Sequence, residues 1–534
     1  MLLLLLALQQ PLSARPDTLK PVQDAVDYDF TLVLPDTGSH LLGQVQTRWM
    51  LTSTRPIEIQ LDTAMRVVRV LMNGVPDARL ARSLYARDQG TVVIPHERAP
   101  GDTLTTAIRY LGAPRAGLVF GMDPSGQPAV FADNWPDHAH YWIPVQDVPS
   151  DKATASFHIE VPEGYQAIAN GNLQHVDTLP RGRTVWHYRI AQPIPVYTMV
   201  VGVARFAVTT LPDAACDVRC VPMALWTFPG DSAWAGQGPF RRAGEIVSYF
   251  SSLIGPFPYE RLSHVQSATR FGGMENSTAI FYPEQAYLDR KLDEETVAHE
   301  TAHQWFGDAV TERDWHHVWL SEGFATYFSA LWQGHAYGDS AFHRVMAANA
   351  DNATINNRVA DEAILDPAIH DLDSLLSANT YPKAAWVLHS LRGLMGDSLF
   401  FAGIREYYTR YRDSTVLSSD FADVMNETAG ADYNWYFEQA LTQPGFPVLV
   451  VRWRYTNGEL KIQVQQVQKD SWGIFQIPGL VLRAGGIDYH IDIADRLTQH
   501  TFTNVRKKPG DLVVDPDGWW LISSEVREVE GRRR

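Results

Sequence analysis

The hydrophobic period changes twice along this chain, and that change restricts its architecture more than any single motif. Val26, Tyr28, Phe30, Leu32 and Leu34 alternate with Asp27, Asp29, Thr31 and Val33, the period of two that lays one face of a strand on a core. Val45, Thr47, Trp49 and Leu51 repeat the pattern, as do Ile57, Ile59 and Leu61 around Glu58 and Gln60. Turn signals such as Pro35-Asp36-Thr37-Gly38 and Asn73-Gly74 separate these runs, and strand-like texture continues to about Val208. Between about residues 241 and 441 the alternation stops, and the segments 294–306, 322–333 and 384–394 carry good helix formers instead. Gln443-Pro444-Gly445-Phe446-Pro447 is too broken to continue a helix. The runs 448–455 and 460–467 then flank Asn457-Gly458, whose two residues tolerate positive φ and so turn a hairpin.

The expected chain is therefore multidomain. An N-terminal all-β domain occupies 15–208, a mainly α domain 209–443 and a small C-terminal β-sandwich 444–534. A length of 534 residues gives room for about three such domains.

Charge narrows the partners. With 45 basic against 61 acidic residues, the formal net charge of -16 disfavours nucleic acid and anionic membranes and favours a cationic ligand. The apolar run Leu2 to Leu8 is shorter than the roughly 20 residues a spanning helix needs. It reads as a secretory signal over 1–14, cut after Ala14, although no basic residue precedes it and Leu12 is large for its place. A periplasmic or secreted protein with no stable membrane anchor is expected. Cys216 and Cys220 are the only cysteines. They either close a small disulfide loop in an oxidising compartment or stay as two thiols, and no partner nearby completes a cysteine-based zinc site. Arg532-Arg533-Arg534 is most simply a solvated tail.

The chemistry sits in His299-Glu300-Thr301-Ala302-His303. On a helix, residues four apart share a face, so both imidazoles reach one metal ion while Glu300 addresses a water beside it. Asp293, Glu294 and Glu295 suit the positive end of such a helix, and Gly307 offers a stop. A catalytic zinc site needs a third protein ligand and an open position. Glu322, 18 intervening residues beyond His303 and at the start of a helix-like run, is the candidate. Two histidines and a carboxylate suit one Zn²⁺ per chain by ligand type. Zinc lowers the pKa of a water toward about 7 and polarises a carbonyl, and Glu300 is placed to move the proton. Upstream, Gly272-Gly273-Met274-Glu275-Asn276 offers glycines that let backbone approach a substrate, followed by a carboxylate, Glu275. Met274 and the aromatic residues favour an apolar or mixed first subsite.

These strings together resemble the M1 family of zinc aminopeptidases. The likeness covers residues 299–308, then Trp319-Leu320-Ser321-Glu322-Gly323-Phe324-Ala325-Thr326-Tyr327, and the exopeptidase motif G-x-M-E-N at Gly272-Gly273-Met274-Glu275-Asn276, which implies that Glu275 pairs with the α-ammonium group of a substrate. The resemblance implies a thermolysin-like catalytic domain between β domains, without the large helical C-terminal domain of many relatives. It also implies a catalytic role for Tyr381: Tyr381-Pro382-Lys383-Ala384-Ala385 is similar to the family's Y-x-K-G-A segment, whose tyrosine donates to the oxyanion, with Ala384 in place of the glycine. An ordinary phenol, of pKa about 10, is protonated and can donate at neutral pH.

Two departures leave choices open. Where many relatives hold the amine with Gln or Glu in the N-terminal domain, Asp133 and Asn134 both stand as candidates. His316 and His317 occupy positions where relatives often have Asn and Asp, and packed imidazoles are favoured over groups orienting the metal ligands. His140-Tyr141-Trp142-Ile143-Pro144-Val145 and Pro149-Ser150-Asp151-Lys152-Ala153 read as structural. The expected function is a zinc aminopeptidase acting on peptides with a free N-terminus. The rivals are a related zinc hydrolase that opens an epoxide or cleaves internal bonds, and a non-catalytic peptide binder on the same fold.

Overall fold

Sheet pairing begins where the alternation begins. In the computed structural model, residues 23–76, 85–86, 90–216 and 219–529 are described; the expected signal at 1–14 and the arginine tail lie outside them. The described residues form two compact units, one from the chain up to Ser321 together with Arg405–Ser419, the other from Glu322–Ile404 and from Asp420 onward. The division falls inside one continuous helix, Trp319–Tyr337.

In the first unit, strand Asp24–Val33 pairs antiparallel with Leu41–Met50 and parallel with Lys152–Val161, at the centre of an eight-stranded sheet. Tyr28, Phe30 and Leu32 are fully buried, as the alternation predicts. Val26 is not in that row: the register shifts between Ala25 and Asp27, so Ala25 takes the buried face. An extra residue in one strand reverses the alternation on its near side.

A second sheet of this unit orders Ala207–Ala214, Val221–Thr227, Leu262–Ser267 and Ala279–Pro283. It lies partly within the stretch read as helical. All six residues of Leu262–Ser267 are buried, because the strand is covered on both faces, and such a strand carries no period of two. The helix Ala243–Ile254 buries Ala243, Ile246, Val247, Phe250 and Ile254, a stripe at helical spacing that packs on strand Ala207–Ala214 and on the helix bearing His299. Cys216 and Cys220 are joined in a disulfide.

In the second unit, helix Trp319–Tyr337 meets helix Ala384–Met395 closely: a Cβ on Gly323 would sit 2.5 Å from the Cβ of Ala384. The bare position is thus Gly323, and a methyl group is accommodated at Ala384. Downstream, Val448–Thr456 and Glu459–Gln466 form the expected hairpin, with Thr456 opposite Glu459 and positive φ at both Asn457 and Gly458. Four-stranded and three-stranded sheets share one apolar cluster that includes Leu449, Val451, Ile462, Leu480, Leu482 and Ile491. This is the C-terminal β-sandwich. No helix of the described residues is long and apolar enough to cross a membrane.

Candidate metal centre

Local sequence sets the helix that carries the two histidines. Asp293 caps it by accepting from the Thr296 amide at 2.8 Å, a contact worth about 1 kcal/mol, and the helix runs Glu294–Ala302 with His303 as its last half-turn. It stops short of the expected 306 because the bonding register changes: Asp308 N donates to His303 O and Val310 N to Trp305 O, five residues back. Trp305 fixes this turn, packing edge-on against Phe250 and Phe257 and donating to Gly255 O at 3.1 Å. Gly307 closes it at φ +116, where a Cβ would lie 2.4 Å from Ser321 Oγ.

The imidazoles converge. His299 Nε2 and His303 Nε2 are 3.1 Å apart. His303 Nδ1 is 3.1 Å from Phe306 O and 2.9 Å from Ser321 Oγ. Those partners hold the proton on Nδ1 and leave the Nε2 lone pair for a cation. Ser321 is followed on the same helical turn by Glu322, so the chain carries that carboxylate straight on from its contact with His303. His299, His303 and Glu322 each present a ligand atom, all within 4.8 Å of one another. Two neutral nitrogens and one carboxylate, with Glu322 only 6% exposed, fit a zinc ion better than a hard cation that takes only oxygen.

Beside them stands a pair of carboxylates. Glu275, Glu300 and His303 also place one such atom each within 4.8 Å. Met274 fixes Glu275 in place by exchanging both main-chain bonds with Phe281, so this segment runs antiparallel along the edge of the second sheet. Gln304, fully buried, ties it to the helix: its amide donates to Glu275 O and Asp308 Oδ2, both at 2.8 Å, and accepts from Thr278 N at 2.9 Å. Burial, then the Glu275 charge, push the Asp308 carboxyl well above its ordinary range. Lys152 donates to Asp308 O and Ala309 O at 2.8 Å each, anchoring the same turn on the first sheet, and burial pushes its ammonium down to about 7.

Gly272 and Gly273 differ. Nothing lies within 4 Å of a Cβ built on Gly272, so room for substrate remains there. A Cβ on Gly273 would lie 2.2 Å from Glu300 Oε1. Cδ and Cγ of Glu300 would lie at 2.3 and 2.6 Å as well, so the side chain must turn as a whole, and Gly273→Ala is expected to fold, keep its metal and swing Glu300 away. Turnover should fall about 100-fold, the scale of a misplacement near 1 Å. Steady-state kcat alongside metal content measures this, and an unchanged kcat would break the link between Gly273 and Glu300.

The remaining candidates separate cleanly. Asn134 is fully buried and occupied, donating to Met199 O at 2.7 Å and accepting from Trp142 Nε1 at 2.9 Å. Asp133 lies 3.9 Å from Arg270, two residues before Gly272. His316 pairs with Asp314 at 2.6 Å, and His317 Nδ1 is 2.8 Å from Ser418 Oγ. Both therefore have structural partners. Tyr381, half-buried, stands in the π-helical turn Asn379–Lys383 of the second unit. Sequence reasoning gave no role to Gln304, Ser321 or the Phe306 carbonyl. Polar residues directly beside the two metal-binding strings were the only signal for the first two.

The family model described as the Peptidase family M1 domain matches residues 242–439, and that of the Peptidase M1 N-terminal domain matches 25–198. "Probable aminopeptidase 1" of Sulfurisphaera tokodaii is 26% identical over 334 residues, 59% of this chain and 41% of that protein. "Aminopeptidase N" of Streptomyces lividans is 26% identical over 322 residues, 56% of this chain and 36% of that protein. The chain thus spans about two fifths of the length of the curated relatives it matches. The crystal structure of an M1 zinc metallopeptidase from Deinococcus radiodurans superposes with a TM-score of 0.69 at 24% identity, covering 80% of this chain and 95% of that one. A mutant of that protein was solved with the substrate Tyr-Ser-Ala bound, and matches at a TM-score of 0.69.

Proposed function

The chain belongs to peptidase family M1, and from that premise we propose that it is a zinc aminopeptidase that removes the first residue of peptides with a free N-terminus. One observation carries the reading: the Glu275 carboxylate lies within 4.8 Å of both the Glu300 carboxylate and the His303 imidazole. A residue advances a chain by about 3.8 Å, so an acid this close to a metal ligand leaves space for one residue and its ammonium group. An enzyme cutting internal bonds needs that direction open. A peptide-binding protein has no use for a carboxylate in the position of Glu300.

His299, His303 and Glu322 would hold the zinc, one ion per chain. When bound, zinc supplies an acidified water and a polarised carbonyl. Glu300 takes the proton of the attacking water and passes it to the leaving amine. Glu275 pairs with the α-ammonium and so sets the register of the scissile bond. Gly272 gives the substrate backbone room, Gly273 keeps Glu300 in line, and Met274 fixes the segment to the sheet edge. Tyr381 donates to the developing oxyanion, a role supported by its place in the Y-x-K motif. Asp133 assists the amine, because the Asn134 amide is already used. Related enzymes named aminopeptidases and the tripeptide-bound neighbour support a peptide substrate. The Cys216–Cys220 bond supports an oxidising compartment, periplasmic or secreted.

Aminoacyl-amide substrates with free and N-acetylated amines test this. The substrate with a free amine should be cleaved, the acetylated one should not, and chelator should stop the cleavage. Glu275→Ala should cost roughly 100-fold or more in kcat/KM on the free amine, since a desolvated ammonium loses its partner at about 3 kcal/mol. Equal cleavage of the acetylated substrate by the wild type would overturn the amine anchor.

A further inference from the structure

A second set of ligand-type side chains lies on the N-terminal sheet. Four neighbouring strands contribute: His175 and Asp177 from Asn172–Thr178, His187 from Thr184–Pro195, His158 from Lys152–Val161 and Asp29 from Asp24–Val33. The register sets His187 opposite both His175 and His158, which aligns three imidazoles across the strands. His187 Nε2 is 3.2 Å from Asp177 Oδ2, and His175 Nε2 is 3.8 Å from the same oxygen. The rings of His175 and His187 stack with centroids 4.1 Å apart. Together His175, Asp177 and His187 offer ligand atoms that all lie within 4.8 Å.

The other side of His187 is organised too. Its Nδ1 is 2.6 Å from His158 Nδ1, and His158 Nε2 is 3.1 Å from Asp29 Oδ1. With His158 Nε2 donating to Asp29 and His187 Nδ1 donating to His158 Nδ1, two acceptors, His187 Nε2 and Asp177 Oδ2, are left facing each other, an arrangement that a cation between them would satisfy. A carboxylate that orients a histidine and leaves its far nitrogen basic is the outer support a metal ligand normally has.

We propose that His175, Asp177 and His187 form a second divalent transition-metal site, suited to Zn²⁺, with His158 and Asp29 orienting His187. Tetrahedral bonds of about 2.0–2.1 Å put ligand atoms about 3.3 Å apart, close to the observed separations; the rings of His175 and His187 stack at an interplanar angle of 13°, so His175, an exposed side chain, must turn out of the stack to aim its lone pair at the shared ion. Two imidazoles and one carboxylate select a borderline cation over calcium or magnesium, and the exposed side leaves the remaining position to water. The ion would staple Asn172–Thr178, a strand at the end of its sheet whose residues face solvent, to its neighbour. An edge strand without such a clamp is open to pairing with other chains.

Zinc binding to the full chain, read by equilibrium dialysis against buffered free zinc, tests the site. At nanomolar free zinc one ion per chain is expected, in the catalytic centre; at submillimolar zinc a second should appear. His187→Ala and the milder Asp177→Asn should lose only the second ion, and unchanged kcat with the first ion in place reports that they fold. His158→Ala should weaken the second ion about 10- to 100-fold, the range an orienting partner controls. In a His303→Ala background, Cu²⁺ should give an electron spin resonance spectrum with coupling to two imidazole nitrogens. A wild type that binds a single ion at submillimolar zinc, or a second ion indifferent to His187 and Asp177, would overturn the proposal.

Discussion

Glu300→Gln should keep one zinc ion per chain and lower kcat by about 10³-fold, within the range that general acid–base groups contribute. The substitution preserves shape and removes the ability to accept a proton. Gln fills the space above Gly273 that Glu300 now occupies, and His299, His303 and Glu322 are untouched. Metal content should be read at nanomolar free zinc, so that the histidine cluster of the N-terminal sheet does not contribute. With ion and fold retained, the loss belongs to the chemical step and should appear in kcat more than in KM. A variant that turned over within threefold of the wild type would remove Glu300 from the role of base.

The opposite split is expected for His303→Ala, which should lose the ion and the activity together. As a zinc ligand His303 would be held by two partners on its far nitrogen, Phe306 O and Ser321 Oγ, and it is 1% exposed. Removing an orienting partner of such a ligand weakens metal binding by about 10- to 100-fold; removing the ligand itself should exceed that. Nanomolar zinc should then leave the catalytic centre empty and turnover at background. Stoichiometric zinc in this variant under those conditions would show that the ion is held elsewhere. Taken together, the two variants separate the proton carrier from the metal cradle.

What could be read from the chain differs with the kind of information involved. The Asn457-Gly458 hairpin was legible because the turn needs positive φ at both residues, and that requirement is written locally. His299 and His303 were legible as a pair because helix geometry converts a spacing of four into a shared direction, and Glu322 by its place at the start of the next helix-like run. Leu262–Ser267 was not, since burial on both faces removes the alternation that marks a strand and Ser263, His264, Gln266 and Ser267 look polar. Neither was the role of Gln304, whose partners Glu275 and Thr278 lie 29 and 26 residues upstream. The space beneath Gly273 was likewise invisible, because Glu300, which takes it, comes from a distant helix. Contacts between separated segments set such residues, and one chain read in order does not display them.

The single amide of Gln304 has an evolutionary consequence. It grips at once the segment that carries Glu275 and the turn leaving the helix that carries Glu300, with every one of those bonds in the protein interior. Widening the entrance to admit blocked or longer amino termini by shifting that segment would drag the helix along and spoil the chemistry. Descendants of this chain that change their diet should therefore accumulate substitutions around the departing side chain or in loops, and leave this amide as it is.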